Sequence, residues 1–171
     1  MNASVIDTMD TSTATFTTTR TTTVPAPHVI VRGSGHSFLQ DISTGNHWFQ
    51  ADEPVSFGGT DAAPDPYDYL MAALGACTSM MVGLQARKRK WPLENIVVSL
   101  RHSRIHAHDC EECLTKHGMI DRIEVTIELT GPLTSEQRQE LMETAASCPI
   151  HQALTNEINV RLRAVTSEFQ A

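Results

Sequence analysis

The sequence predicts an α+β domain in the order βββ-α-ββ-α-β, and three observations carry that reading. Short β-prone runs alternate with turn residues ahead of residue 52, a helix-length stretch at residues 69–86 holds no charge, and apolar and polar residues alternate at three places after residue 95.

The elements follow in order. Ten of the sixteen residues at 8–23 are Thr, a low-complexity run with little to bury although Thr suits strands. Residues 1–27 therefore read as a tail or an edge strand, ahead of a single domain at 28–171. The runs His28-Val-Ile-Val-Arg32, Ser37-Phe-Leu-Gln-Asp-Ile-Ser43 and His47-Trp-Phe-Gln-Ala51 are separated by Gly33-Ser-Gly35 and Thr44-Gly-Asn46, the pattern of a three-stranded meander. Asp65-Pro66 supplies an N-cap and a proline at the first helical position. The helix it opens runs to about Lys90, where four cations complement the negative pole and Pro92 ends it. Apolar residues lie on every side of this helix between Leu70 and Leu84, so the expectation is a central helix covered all round.

Ile96, Val98 and Leu100 alternate with polar residues, as do Ile123, Val125, Ile127 and Leu129. These are two half-buried strands of an antiparallel hairpin around a polar insert from about Arg101 to Gly118. Thr134-Ser-Glu-Gln137 is a capping box, and the helix it starts places Leu141, Ala145 and Cys148 on one inward face. Pro149 ends or kinks that helix, and a short second piece follows. Ile158, Val160, Leu162 and Ala164 then alternate in an expected last strand.

Composition narrows the function. The 171 residues carry 13 Lys plus Arg against 20 Asp plus Glu, a net charge of −7, with no basic patch, so nucleic acid is not an expected partner. Residues 1–27 contain Asp7 and Asp10 and no basic start leading into an apolar run, which makes a cytoplasmic location the expectation. Residues 69–86 reach membrane-spanning length, but Gly75, Thr78, Ser79, Gly83 and Gln85 favour a buried helix, and no membrane partner is expected. In a reducing compartment, lasting structural disulfides are disfavoured and the four cysteines become the place to look for chemistry.

Spacing separates two kinds of thiol. Cys77 and Cys148 sit on buried helical faces, whereas Cys110 and Cys113 form a C-x-x-C in the polar insert. By itself Cys77 reads equally as a small buried hydrophobe. Pro149 suits Cys148 to the start of a new helical turn, where free backbone N–H groups favour a thiolate. The insert gathers His102, His106, His108, Cys110, Cys113 and His117, half of the eight His and half of the four Cys. Three readings stay open there: a solvated hairpin tip, a structural zinc held by His106, Cys110, Cys113 and His108 or His117, and a redox dithiol.

The segment Asp65-Pro-Tyr-Asp-Tyr-Leu-Met-Ala-Ala-Leu-Gly-Ala-Cys77-Thr-Ser-Met-Met81, followed by Ser147-Cys148-Pro-Ile-His151, resembles the two cysteine motifs of the OsmC and Ohr hydroperoxide reductases. The resemblance covers residues 28–165. It implies an OsmC-like fold, with antiparallel sheets wrapped around long central helices in an intertwined homodimer whose active sites lie at the subunit interface. It further implies that Cys77 is the peroxidatic cysteine and Cys148 the resolving one. The substrate would be an organic hydroperoxide, in oxidative-stress defence, and the reductant a dithiol such as a dihydrolipoyl protein, with no metal or flavin cofactor.

Family members carry a Glu where this chain has Tyr67, which makes Asp68 the candidate substitute acid. Arg32, before Gly33-Ser-Gly35, is the candidate for the arginine that activates the peroxidatic thiol. The substitution at Tyr67 also motivates a second reading, a non-enzymatic OsmC-like binding or metal-binding protein.

Overall fold

A computed structural model describes residues 28–164; the Thr-rich segment expected as a tail or edge strand lies outside them. Strands β1 (Val29–Gly33), β2 (Gln40–Thr44) and β3 (His47–Ala51) form an antiparallel meander. Thr44 pairs with His47 across a two-residue turn. Gly45 supplies that turn's left-handed backbone at φ +56°, a conformation a Cβ would disfavour.

Asp52 closes the loop after β3. Its Oδ2 accepts from the Thr60 N–H at 3.0 Å, the Thr60 hydroxyl at 2.6 Å and the Ala62 N–H at 3.1 Å. The Thr60 hydroxyl first, and then the Ala62 N–H, hold the Asp52 carboxyl down at about 2 against the opposing effect of burial. The loop is thereby drawn back on itself and delivers the chain to helix α1 (Pro66–Arg89). Asp65 caps α1 by accepting from the Asp68 N–H at 2.8 Å, and Pro66 takes the first helical position, where its missing N–H costs nothing. The Tyr69 hydroxyl donates to the Gln50 carbonyl and the Tyr69 ring lies 5.3 Å from that of Phe49, which ties the meander to the first turns of α1.

Strands β4 (Asn95–His106) and β5 (Met119–Thr130) form a separate two-stranded sheet against α1. Their pairing continues past the expected strand ends, with His102 opposite Ile123 and His106 opposite Met119. The polar insert thus shrinks to a tip: backbone pairing runs on unbroken although His102, Arg104 and His106 continue the face of Ile96, Val98 and Leu100. Gly75 sets the approach of helix to sheet: a Cβ there would fall 2.7 Å from Leu100 Cδ1.

Helix α2 (Ser135–Ala146) starts in the expected capping box, with the Thr134 hydroxyl and Gln137 side chain each bonding the other's backbone. It packs Leu141 and Ala145 against Val82 and Ala86 of α1, with Ile96, Ile127 and Leu129 closing the core. Burying a side chain of the size of Leu141 is worth about 1.5–3 kcal/mol. Helix α3 (Pro149–Thr155) follows at once.

One expectation is corrected. The last strand is absent among the described residues: 156–164 carry no ladder hydrogen bonds, and Val160 and Leu162 are 76% and 95% exposed. Alternation marks these residues as strand-like, but among the described residues they pair with none of the free edges of β1, β3, β4 and β5. Within a single chain, helix α1 is covered on one side; the all-round cover belongs to the homodimer that the resemblance implies. Leu74, Gly75, Thr78, Val82, Gly83 and Ala86 are buried beneath β4, α2 and α3, while Ala72, Ala73, Ala76, Met80 and Leu84 form an open apolar stripe. The α+β class and the order βββ-α-ββ-α stand.

Candidate functional site

Cys148 occupies the N-cap of α3 and is fully buried. Pro149 ends α2 by lacking an N–H and starts α3 with its preset φ, which turns the Cys148 sulfur back onto the first turn of α3. There it accepts from the His151 N–H at 3.3 Å. Thr78, from the buried face of α1, brings its hydroxyl within 3.5 Å of the same sulfur. Cys77, one residue earlier on α1, is near enough to be among the influences that lower the Cys148 thiol. Burial alone would push the Cys148 thiol up. The Thr78 hydroxyl, the His151 N–H, Cys77 and the Ile150 N–H together outweigh it and hold the thiol below its ordinary range.

Both thiols are free, Cys77 half-buried and Cys148 buried. The fold therefore brings together two cysteines from separate helices. Beside them lies a small apolar cavity of about 190 Å³ lined by Leu74, Thr78, Val125, Ile127, Met142 and His151. Thr78 and His151 line it and also bond the Cys148 sulfur, which places the cavity next to Cys148.

Thr78 was not singled out from sequence. Its signal is a hydroxyl next to Cys77 at a helical position that turns inward, in a stretch otherwise apolar.

The candidate activating residues are not brought to Cys77 within one chain. Asp68 precedes Cys77 by nine residues, which on an α-helix is about half a revolution away and about 13.5 Å along the axis. Arg32 lies in β1, paired across the ladder with Asp41, and among the described residues no hydrogen bond or ion pair links it to Cys77, Cys148 or Asp68. Tyr67 stacks on His102 with ring centroids 4.2 Å apart and planes at 12°, and His102 Nε2 meets Asp121 Oδ1 at 3.0 Å.

The hairpin tip also departs from expectation. Cys110 and Cys113 form a disulfide with Cα atoms 5.4 Å apart, so neither sulfur is available as a thiolate ligand. The His106 and His108 rings are 5.2 Å apart, and His108 Nε2 lies 3.0 Å from Asp109. Among the described residues no three His, Cys, Asp or Glu side chains converge as a metal site. The expected convergence of His106, Cys110 and Cys113 with His108 or His117 is thus corrected. The C-x-x-C turn brings its sulfurs to each other, while a short 3₁₀ turn at Ala107–Asp109 turns the chain away from the end of β4.

Two reduced cysteines meeting between a long Ala/Gly-rich helix and a Cys-Pro helix start define the motif pair in three dimensions. The family model described as "OsmC-like protein" matches residues 59–163, more than half of the chain. The chain belongs to the OsmC-like family. Solved structures of the family share the fold. An osmotic stress induced and detoxification response protein from Psychrobacter arcticus superposes with a TM-score of 0.59 at 17% identity, covering 74% of this chain and 87% of that one. An organic hydroperoxide resistance protein OsmC from Legionella pneumophila gives 0.55 at 20% identity, over 74% and 87% of the two chains. The organic hydroperoxide resistance protein OhrB of Bacillus subtilis gives 0.52 at 19% identity, over 78% and 93%. No curated protein matches the chain. Within the OsmC-like family, then, this chain has its two motif cysteines as free thiols on neighbouring helices, and Tyr67 where the resemblance implies an acid.

Proposed function

We propose that this OsmC-like protein is a thiol peroxidase that reduces organic hydroperoxides. One observation carries the reading: Cys77 and Cys148 are free thiols on neighbouring helices, close enough for Cys77 to act on the Cys148 thiol, with an apolar cavity next to Cys148. The Cys77 thiolate attacks the terminal peroxide oxygen, the O–O bond breaks, the alcohol leaves with a proton, and Cys77 becomes a sulfenic acid. The Cys148 thiolate then attacks the Cys77 sulfur, expelling hydroxide, which leaves as water, and a Cys77–Cys148 disulfide forms. A dithiol such as a dihydrolipoyl protein restores both thiols by exchange and is itself oxidised to a disulfide. No step requires a cofactor.

The local environment suits the second step. The Thr78 hydroxyl and the His151 N–H favour the Cys148 thiolate, the form that attacks the oxidised Cys77 sulfur. The Val125, Ile127 and Met142 wall favours an apolar substituent over bare hydrogen peroxide. The protein works as a homodimer in the cytoplasm in this reading, the open stripe of α1 being covered by the second copy, through which Arg32 or Asp68 of that copy gains access to Cys77.

Peroxide consumption with dihydrolipoamide as reductant tests the proposal. Cumene hydroperoxide is expected to be turned over, with Cys77→Ser inactive and Cys148→Ser oxidised at Cys77 without disulfide formation. Wild-type turnover in Cys77→Ser overturns the mechanism. A second reading, a binding protein without turnover, draws on Tyr67 stacking on His102 where the family acid is expected. It requires that wild type itself leave cumene hydroperoxide unconsumed while both thiols stay free.

A further inference from the structure

The disulfide at the hairpin tip takes no part in the peroxide chemistry, and it joins no two elements of the fold. Cys110 and Cys113 are three positions apart in sequence, with Cα atoms 5.4 Å apart, and both belong to the connection between β4 and β5. That connection is already closed beneath them. His106 pairs with Met119, and the N–H of the buried Ala107 donates to the Gly118 carbonyl at 2.8 Å. A disulfide stabilises a fold by the loop that it closes, and a bridge inside one short turn gives the least of any. The chain thus brings two sulfurs together where their bond does little for stability.

The surroundings leave the bridge within reach of a second thiol. Both cysteines are half-buried, their neighbours Asp109, Glu111 and Glu112 are exposed, and Leu114 is 98% exposed. Residues 110–116 are held, among the described residues, by the Cys110 N–H on the Ala107 carbonyl and by Lys116 Nζ on the Glu111 carbonyl, each at 3.2 Å. Opening the bridge therefore asks nothing of the β4–β5 ladder. Accessible disulfides at C-x-x-C spacing are the kind that exchange. The charge of the tip selects among partners: Asp109, Glu111 and Glu112 face only Lys116 as a fixed cation in this stretch, so anionic thiols and disulfides are disfavoured.

We propose that Cys110 and Cys113 form a second, reversible redox pair, which exchanges with small uncharged dithiols and disulfides independently of Cys77 and Cys148. One thiolate of an external dithiol attacks a bridge sulfur, the Cys110–Cys113 bond breaks, and the displaced thiolate takes up a proton. The second thiolate of the reductant attacks its own sulfur in the mixed disulfide and releases the other cysteine. Two electrons and two protons pass to the protein, and the dithiol leaves as a disulfide. An external disulfide runs the same steps backward, giving up two thiols and restoring the bridge. Among the described residues no hydrogen bond joins residues 107–118 to either Cys77 or Cys148.

Reduction of the oxidised full chain under native conditions tests this, with the four cysteines read separately by alkylation and peptide mapping. Dithiothreitol is expected to reduce the Cys110–Cys113 bridge at a rate proportional to its concentration, with amide shifts confined to the tip. After its removal, 2-hydroxyethyl disulfide should restore the bridge through a mixed disulfide that closes within the chain, and Cys77→Ser should behave as wild type at the tip. The reoxidation rate with uncharged 2-hydroxyethyl disulfide, divided by that with anionic oxidised glutathione, should fall by about threefold when Glu111→Gln and Glu112→Gln are combined. A bridge that is reduced only as fast as the chain unfolds, a mixed disulfide that persists unclosed, loss of tip reoxidation in Cys77→Ser, or a rate ratio unchanged by the two Gln substitutions overturns the proposal.

Discussion

The Thr78 hydroxyl lies 3.5 Å from the buried Cys148 sulfur, joining helix α1 to the start of helix α3 at the point where the two thiols meet. One side chain thus does two things, fixing the packing of α3 and favouring the charged form of the thiol.

Thr78→Val removes the hydroxyl with little change of shape. Cys148 is expected to titrate at higher pH in the variant, read from thiolate absorbance with Cys77 replaced by Ser, because the O–H donor that opposes burial is gone. The folded thiol lies below its ordinary range, so its stabilising contribution is full above the unfolded value, about 8.5, and is lost as pH falls through the folded one. Thr78→Val should accordingly be less stable at pH 9 by about 1 kcal/mol, with a smaller deficit in acid, and Thr78→Ser should restore both readouts. A deficit independent of pH would reduce Thr78 to packing alone.

A second pH dependence belongs to Asp52. Its carboxyl sits at about 2 in the folded chain against about 3.9 when unfolded. The stabilisation is therefore present above about pH 4 and disappears as pH falls toward 2. Thr60→Val, which removes its shortest donor at 2.6 Å, is expected to be less stable than wild type at pH 6, with the gap narrowing below pH 4. Urea midpoints measured from pH 7 to pH 2 report this, and a gap that widens in acid would contradict it.

The open face of α1 makes a prediction about assembly. Met80 is 69% exposed in the single chain, on the stripe with Ala73, Ala76 and Leu84. If a second copy covers this stripe, Met80→Glu places a charge in an apolar contact, and light scattering should show a shift from dimer to monomer. A wild-type chain that is monomeric at about 100 μM, far above the dissociation constants usual for dimers of this kind, would remove the assembly from the proposal.

The hairpin tip is expected to stand apart from the chemistry. The Cys110–Cys113 bridge closes a ring of only a few residues, for which chain entropy allows roughly 2 kcal/mol at most. Cys110→Ser should leave peroxide turnover within about twofold of wild type and lower the thermal midpoint by only a few degrees. A tenfold loss of turnover would instead place the tip in the reaction.

Local chemistry determined much of this protein. The Asp65-Pro66 start, the cations at the end of α1, the Thr134-to-Gln137 box and the Thr44-to-His47 turn are each decided by neighbouring residues, and all could be read from the chain. The choice of Cys77 and Cys148 rests on the likeness of their Ala/Gly-rich and Cys-Pro surroundings to the family motifs, since Cys77 by itself reads equally as a small buried hydrophobe. Only the tertiary structure decided what those residues face. The Thr78 contact spans 70 positions, and the clamp on Asp52 depends on how a loop closes, so neither appears in any short window. The alternation at Ile158, Val160 and Leu162 states a preference for strand, but pairing belongs to the edge that receives it, and these residues reach none of the open edges of β1, β3, β4 and β5. All-round apolarity on α1 likewise states that every face avoids water; which faces this chain covers, and which it leaves for another surface, follows from where β4, α2 and α3 come to rest.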